Sequence, residues 1–352
     1  MNYMKLEAMQ AVYSYFFPEA RVIVNGMRLP DEMFFVSTPA SEAKDMLEAA
    51  GFADLAITKT LDDKIDLDMI HEPIIDEIIR SYELIAPALN MFKHRYPTSG
   101  SSQGIFHLLS ELKQKGTDRI YTFSGEYEGY KEYGKCLGIQ TEEIGFDDPI
   151  RNIKKGFWFI SNPSAKNGNI IPDEKIIELC NAGHRMIIDL AYVGMTRPHV
   201  FSLDHENIMG VVMSMSKPYG VFRFRVGGFA FTKEPIQSLY GNKWFKDVPS
   251  LFSSLALVRS LPPGSLHTKY YGIQQEIIKS ISQGIGIGMR PSDVFLLGYL
   301  NGNDSGQLSG PQKDIIAGFR RGEDYRFCLT PYFEDYERRQ NSNHKTNCEV
   351  GR

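Results

Sequence analysis

Along the middle of the chain, short apolar runs bounded by polar turns alternate with segments whose apolar positions follow the spacing of a helix. The runs "RIYTFS" (119–124), "GFWFIS" (156–161), "RMIIDL" (185–190), "IMGVVMSMS" (208–216) and "VGGFAFT" (226–232) read as strands. "SSQGIFHLLSELKQKG" and "IPDEKIIELCNAG" read as helices, the second with Pro172 near its start and Gly183 as its stop. This alternation over residues 82–233 predicts an α/β domain with a mainly parallel central sheet. The flanks are less regular. Residues 1–17 alternate as an amphipathic helix would, "LPPGS" (261–265) reads as a connection, and "HTKYYGIQQEIIKSIS" reads as a further helix. Gly284, Gly286 and Gly288 follow that helix rather than a strand and lack a downstream acidic partner. They predict a loop with unusual backbone angles, not a dinucleotide-binding turn. The whole divides into a large domain over 75–250 and a smaller α+β domain, with an N-terminal arm, from 1–74 and 251–352.

Composition narrows the partners. With 352 residues, 42% of them hydrophobic, the chain can bury a large core and is long enough for two domains. Thirty-nine basic and 43 acidic residues leave a net charge of −4 with no basic block. Nucleic acid and anionic membranes are therefore not expected partners, and small molecules are. No apolar run approaches the length of a membrane span. Cys136, Cys180, Cys328 and Cys348 are scattered, and no secretory signal precedes them, which points to a reducing cytoplasm. The eight histidines include no paired ligand motif, so no metal is expected.

The chemistry lies where the central strands stop. "GFWFIS" runs into Asn162, "RMIID" ends on Asp189 with Tyr192 close behind, and "VVMSMS" ends on Lys217. In an open α/β sheet these carboxyl ends border one crevice. A lysine there can form a Schiff base with an aldehyde cofactor, and a carboxylate can keep a pyridine nitrogen protonated so that the ring withdraws electrons. Asn162 and Tyr192 can donate to a phenolate oxygen on the same ring. Upstream, Gly100, Ser101 and Ser102 open a helix whose free N–H groups and dipole attract a phosphate. Ser214 and Arg225 add a hydroxyl and a guanidinium, with Arg223 the weaker candidate of the two arginines. Tyr127 is placed to stack on a flat ring.

These stations together resemble a fold type I pyridoxal-phosphate enzyme of the class I/II aminotransferase family. "SGSSQG", Tyr127 in "GEYEGY", "NPSAKNG", "DLAY" and "SMSKPYGVFRFRVG" appear in the family's order, most densely over 96–228. The resemblance implies an aspartate aminotransferase-like fold with pyridoxal 5'-phosphate as cofactor and Lys217, Asp189 and Tyr192 as the catalytic group. It further implies substrate contacts from Asn162 and from Arg326 in "YRFCLTPYF", the latter on the α-carboxylate, and a cytoplasmic homodimer that moves amino groups between amino acids and 2-oxo acids. Relatives lend a tyrosine to the neighbouring subunit's phosphate site. Here Tyr82 and Tyr96 are the candidates, and neither stands in the family's tyrosine and glycine pattern. A decarboxylase, lyase, oxidase or cyclase would use the same lysine and aspartate, whereas a non-catalytic binding module would have no use for the lysine.

Overall fold

A computed structural model describes residues 17–26, 67–220, 225, 227–243, 248–333 and 335. Residues 1–16 of the expected amphipathic helix, Arg223 and Cys348 lie outside them. Two helices, α1 (Pro18–Asn25) and α2 (Leu67–Ser81), precede the sheet. The chain then runs β1 (His94–Thr98), α3 (Ser101–Gln114), β2 (Arg119–Phe123), α4 (Gly129–Cys136), β3 (Gln140–Ile144), β4 (Phe157–Ser161), α5 (Asp173–Asn181), β5 (Arg185–Leu190), β6 (Ile208–Ser214) and β7 (Gly228–Thr232). These strands form one seven-stranded sheet in the order β1-β7-β6-β5-β4-β2-β3. Neighbours from β6 across to β3 pair in parallel, while β7 runs antiparallel to both β6 and β1.

The five expected strands are all present, β5 at its full expected length and the other four trimmed by a residue or two. Apolar side chains cover both faces, as a mainly parallel sheet between helix layers requires. Phe159, Ile187, Val212 and Ala230 face one way, toward Ile105, Leu108, Leu109 and Leu112 of α3. Trp158, Ile160, Met186, Ile188, Val211 and Met213 point the other way into the larger core. The period of two along each strand meets the i, i+3, i+4, i+7 stripe of the helix.

Helices α6 (Val248–Ser260) and α7 (Ser265–Ile285) follow the sheet; of the three glycines expected in a loop with unusual angles, Gly286 caps α7 at φ +67, whereas Gly284 is still inside the helix and Gly288 has no positive φ. A second sheet contains β8 (Arg290–Pro291), β9 (Leu297–Leu300), β10 (Arg320–Arg321) and β11 (Asp324–Cys328), with α8 (Gly310–Ile316) between β9 and β10. Its order is β10-β11-β9-β8, all antiparallel. Among the described residues, no helix is long and apolar enough to cross a membrane.

Candidate active site

Ser161 and Ser214, the last residues of β4 and β6, and Asp189, one residue before the end of β5, all line one open cavity of about 390 Å³. Ser101, Ser102, Tyr127, Tyr192, Lys217, Arg225 and Arg326 line it as well. Eight of the ten residues expected at the cofactor, together with Arg326, thus converge at the carboxyl edge of the sheet.

At one end the start of α3 and the approach to β7 are pressed together. Gly100 takes φ +89, and a Cβ there would lie 2.2 Å from Arg225 Nη2. A Cβ on Gly228 would lie 2.1 Å from the Gly100 nitrogen. Only glycine at both positions lets the β7 end close over the helix start. Arg225 stands at φ +56 and donates from Nε and Nη2 to the Ser99 carbonyl, at 3.2 and 2.7 Å. Ser214 Oγ accepts the Ser216 N–H at 3.1 Å, which leaves its own hydrogen to donate. Helix N–H groups, a hydroxyl and a guanidinium form a cradle for an anion.

Asp189 lies at the cavity floor, 3% exposed. Its Oδ2 accepts from Tyr130 Oη at 3.1 Å, while its Oδ1 is buried without a hydrogen-bond partner. A lone buried carboxylate oxygen costs free energy until a donor reaches it. Burial pushes the Asp189 carboxyl from its ordinary 3.8 up to about 6, against the pull of the Lys217 charge. A protonated ring nitrogen is one donor that would satisfy this oxygen. Lys217 Nζ sits 4.6 Å from the centre of the Tyr192 ring, a cation over an aromatic face. Tyr127 Oη is 3.3 Å from Ser102 Oγ, and burial raises its phenol to about 12, so it stays neutral. The unpartnered carboxylate oxygen, the anion cradle and the amine all face one cavity and together fit pyridoxal phosphate.

An aspartate with its pKa raised in the folded state contributes stability that is full below 3.8 and lost as pH rises through about 6. The apoprotein is therefore expected to lose about 3 kcal/mol across that window relative to Asp189→Asn. Denaturant titrations of both proteins at pH 4 and pH 7 check this. Parallel stability curves would remove the aspartate's burden.

Three expectations fare differently. Asn162 is buried but does not line the cavity. Its amide donates to the Ile171 carbonyl at 3.3 Å and accepts the Ile171 N–H at 2.9 Å, so its side chain is engaged by the backbone of its own chain. Tyr82 is fully buried, and Tyr96 is 2% exposed with its Oη accepting the Ile236 N–H at 3.0 Å. Both are packed inside their own chain, which withdraws them as donors to a neighbour. Ser161, Ser216, Glu128, Arg321, Ala165 and Ala191 line the cavity without having been singled out in the sequence. Arg321 on β10 pairs with Glu128 at 2.8 Å. Glu128, Ala165, Ala191 and Ser216 lay within recognised motifs, whereas Ser161 and Arg321 lay outside them.

Residues 96–257 match the family model for aminotransferase class I and II. A histidinol-phosphate aminotransferase of Thermococcus kodakarensis is 24% identical over 192 residues, which cover 51% of this chain and 56% of the relative. The chain thus spans about half the length of that curated relative. The crystal structure of a pyridoxal-phosphate-bound C–S lyase from Staphylococcus hominis superposes with a TM-score of 0.59 at 11% identity, covering 92% of this chain and 84% of the lyase. An aspartate aminotransferase from Thermus thermophilus, solved with maleate, gives a TM-score of 0.56 at 14% identity, covering 86% and 96%. These likenesses show the fold.

Proposed function

From the match of residues 96–257 to the family model for aminotransferase class I and II, we propose that the protein is a pyridoxal-phosphate-dependent aminotransferase that exchanges amino groups between an amino acid and a 2-oxo acid. The observation that carries this reading is the meeting of Asp189 Oδ1, buried and unpartnered, with Lys217 and Arg326 in one cavity. When bound, pyridoxal phosphate supplies an aldehyde that condenses with amines and a ring that withdraws electrons. In this reading Ser101, Ser102, Ser214 and Arg225 hold the phosphate, with Gly100 giving them room. Tyr127 covers the ring, and Asp189 keeps the proton on its nitrogen. Lys217 takes the proton from the substrate Cα and returns it at the far side of the exchange. Tyr192, beneath the ammonium, steadies its position. The division into a cofactor-holding domain over 75–250 and a smaller one from 1–74 and 251–352 belongs to the same proposal, as do the cytoplasm and the homodimer. Sedimentation showing a stable, active monomer would overturn the last.

Arg326 is 7% exposed and lines the cavity, and its guanidinium donates to the Ala165 carbonyl. Its planar fork suits an α-carboxylate through two parallel hydrogen bonds, a geometry lysine does not reproduce. Arg326→Lys is expected to weaken amino-acid binding by about 1.5–3 kcal/mol while leaving amines without a carboxylate unaffected. Titrating the loaded protein with both substrate types checks it. Equal losses for the two would remove Arg326 from the carboxylate.

A panel of amino acids and 2-oxo acids with products identified by mass tests the function itself. Transfer of the amino group without release of carbon dioxide is the expected result. Carbon dioxide would point to a decarboxylase and elimination products to a lyase.

A further inference from the structure

A guanidinium that reads a carboxylate has to be held still, and the means of holding Arg326 stands beside it on β11. Residues 324 and 326 point to one side of the strand, about 7 Å apart along it. Both are buried, Asp324 at 4% exposure and Arg326 at 7%. Opposite them runs the loop between β4 and α5. Arg326 Nη1 donates to the Ala165 carbonyl, and Asp324 Oδ2 accepts from Asn167 Nδ2 at 3.0 Å. Two steps back along the strand thus match two steps forward along the loop. Lys166, between the two loop positions, places its Nζ 3.3 Å from Asp324 Oδ2 and also pairs with Glu323.

The polar groups of this cluster are closely matched. Asp324 Oδ1 accepts the Gly302 N–H at 3.2 Å, so the carboxylate gathers three donors. Asn167 Oδ1 accepts the Asn169 N–H at 3.1 Å, which turns the NH₂ of its amide toward Asp324. The Asn167 carbonyl accepts the Ser292 hydroxyl at 2.6 Å. Desolvating a lysine and an aspartate costs about as much as their attraction returns, so the pair is a weak source of stability. Its geometry is specific all the same. A slip of one residue between strand and loop would turn Asp324 and Arg326 to the other face and break both sets of bonds together. Asp324, Lys166 and Asn167 do not line the main cavity, so whatever they do there acts through Arg326.

We propose that Asp324, braced by Lys166 and Asn167, is a positioning residue that fixes the register of β11 against the β4–α5 loop and so holds Arg326 at the substrate carboxylate. The proposal rests on reading Arg326 as the carboxylate-binding residue.

The test uses the loaded protein, the amino acid that it turns over best and the amine with the same side chain but no carboxylate. Asp324→Asn is expected to raise KM for the amino acid about tenfold while kcat stays within about threefold and binding of the amine within about twofold. Asn167→Asp keeps the acceptor for Asn169 but turns a carboxylate oxygen toward Asp324, and is expected to give the same selective rise. Combining Asp324→Asn with Lys166→Gln should raise KM no further than the larger single change, because one clamp is lost only once. An unchanged KM, equal losses for amine and amino acid, or effects that multiply in the double variant would each overturn the proposal. If Asp324→Asn does not fold, Asn167→Asp decides the same question. Arg326→Lys is measured alongside. If that variant binds the amino acid as tightly as the parent, the reading of Arg326 falls and the proposal with it; if it loses the amino acid while Asp324→Asn does not, the proposal alone falls.

Discussion

Lys217→Ala is expected to abolish turnover, with a loss of at least about 10³-fold, because both the amine that holds the cofactor and the base that moves the Cα proton disappear together. The structure gives the physical ground. Lys217 lies three residues beyond β6, in the cavity that holds Asp189, and its ammonium rests on the Tyr192 face at 4.6 Å. A lysine placed for solubility would point to water. Borohydride reduction of the loaded protein followed by peptide mapping should place the pyridoxyl group on residue 217. A label on another lysine, or an alanine variant that still turns over, would end the assignment.

Asp189→Asn is the second large expected loss, about 10²–10³ in kcat, equal to about 3–4 kcal/mol of electrostatic stabilisation in a closed site. Asparagine preserves the shape and an acceptor for Tyr130 but has no charge to hold a proton on a ring nitrogen. Cofactor retention should fall much less than turnover, since the anion cradle of Ser101, Ser102, Ser214 and Arg225 lies elsewhere in the cavity. Measuring bound cofactor after dialysis beside kcat separates the two. Undiminished turnover in the asparagine variant would remove Asp189 from this role.

Most of the sheet was legible because buried strands carry unbroken apolar runs, and those runs end where the polar residues of the cavity begin. The edges were not. β1 contains Pro97 and β3 is "QTEEI", polar along most of its length. An edge strand tolerates proline and needs no apolar run on both faces, so its sequence resembles a turn or a surface segment.

The sequence by itself determined the alternation of strand and helix and the polar residues where β4, β5 and β6 stop, because these follow from local period and residue type. It also placed the glycine and serine turn that opens α3. Contacts between distant segments were decided by tertiary structure alone. Glu126 meets Ser164 and Ala165, and Tyr130 meets Ser161 and Asp189, across 31 to 59 residues of chain. Arg321 meets Glu128 across 193. Asn162 belonged to a recognised motif, yet the backbone at Ile171 takes its amide, because a buried polar group bonds to whichever partner the fold brings within reach. Spacing along a chain specifies which face of an element a side chain occupies, and only packing determines what stands opposite that face.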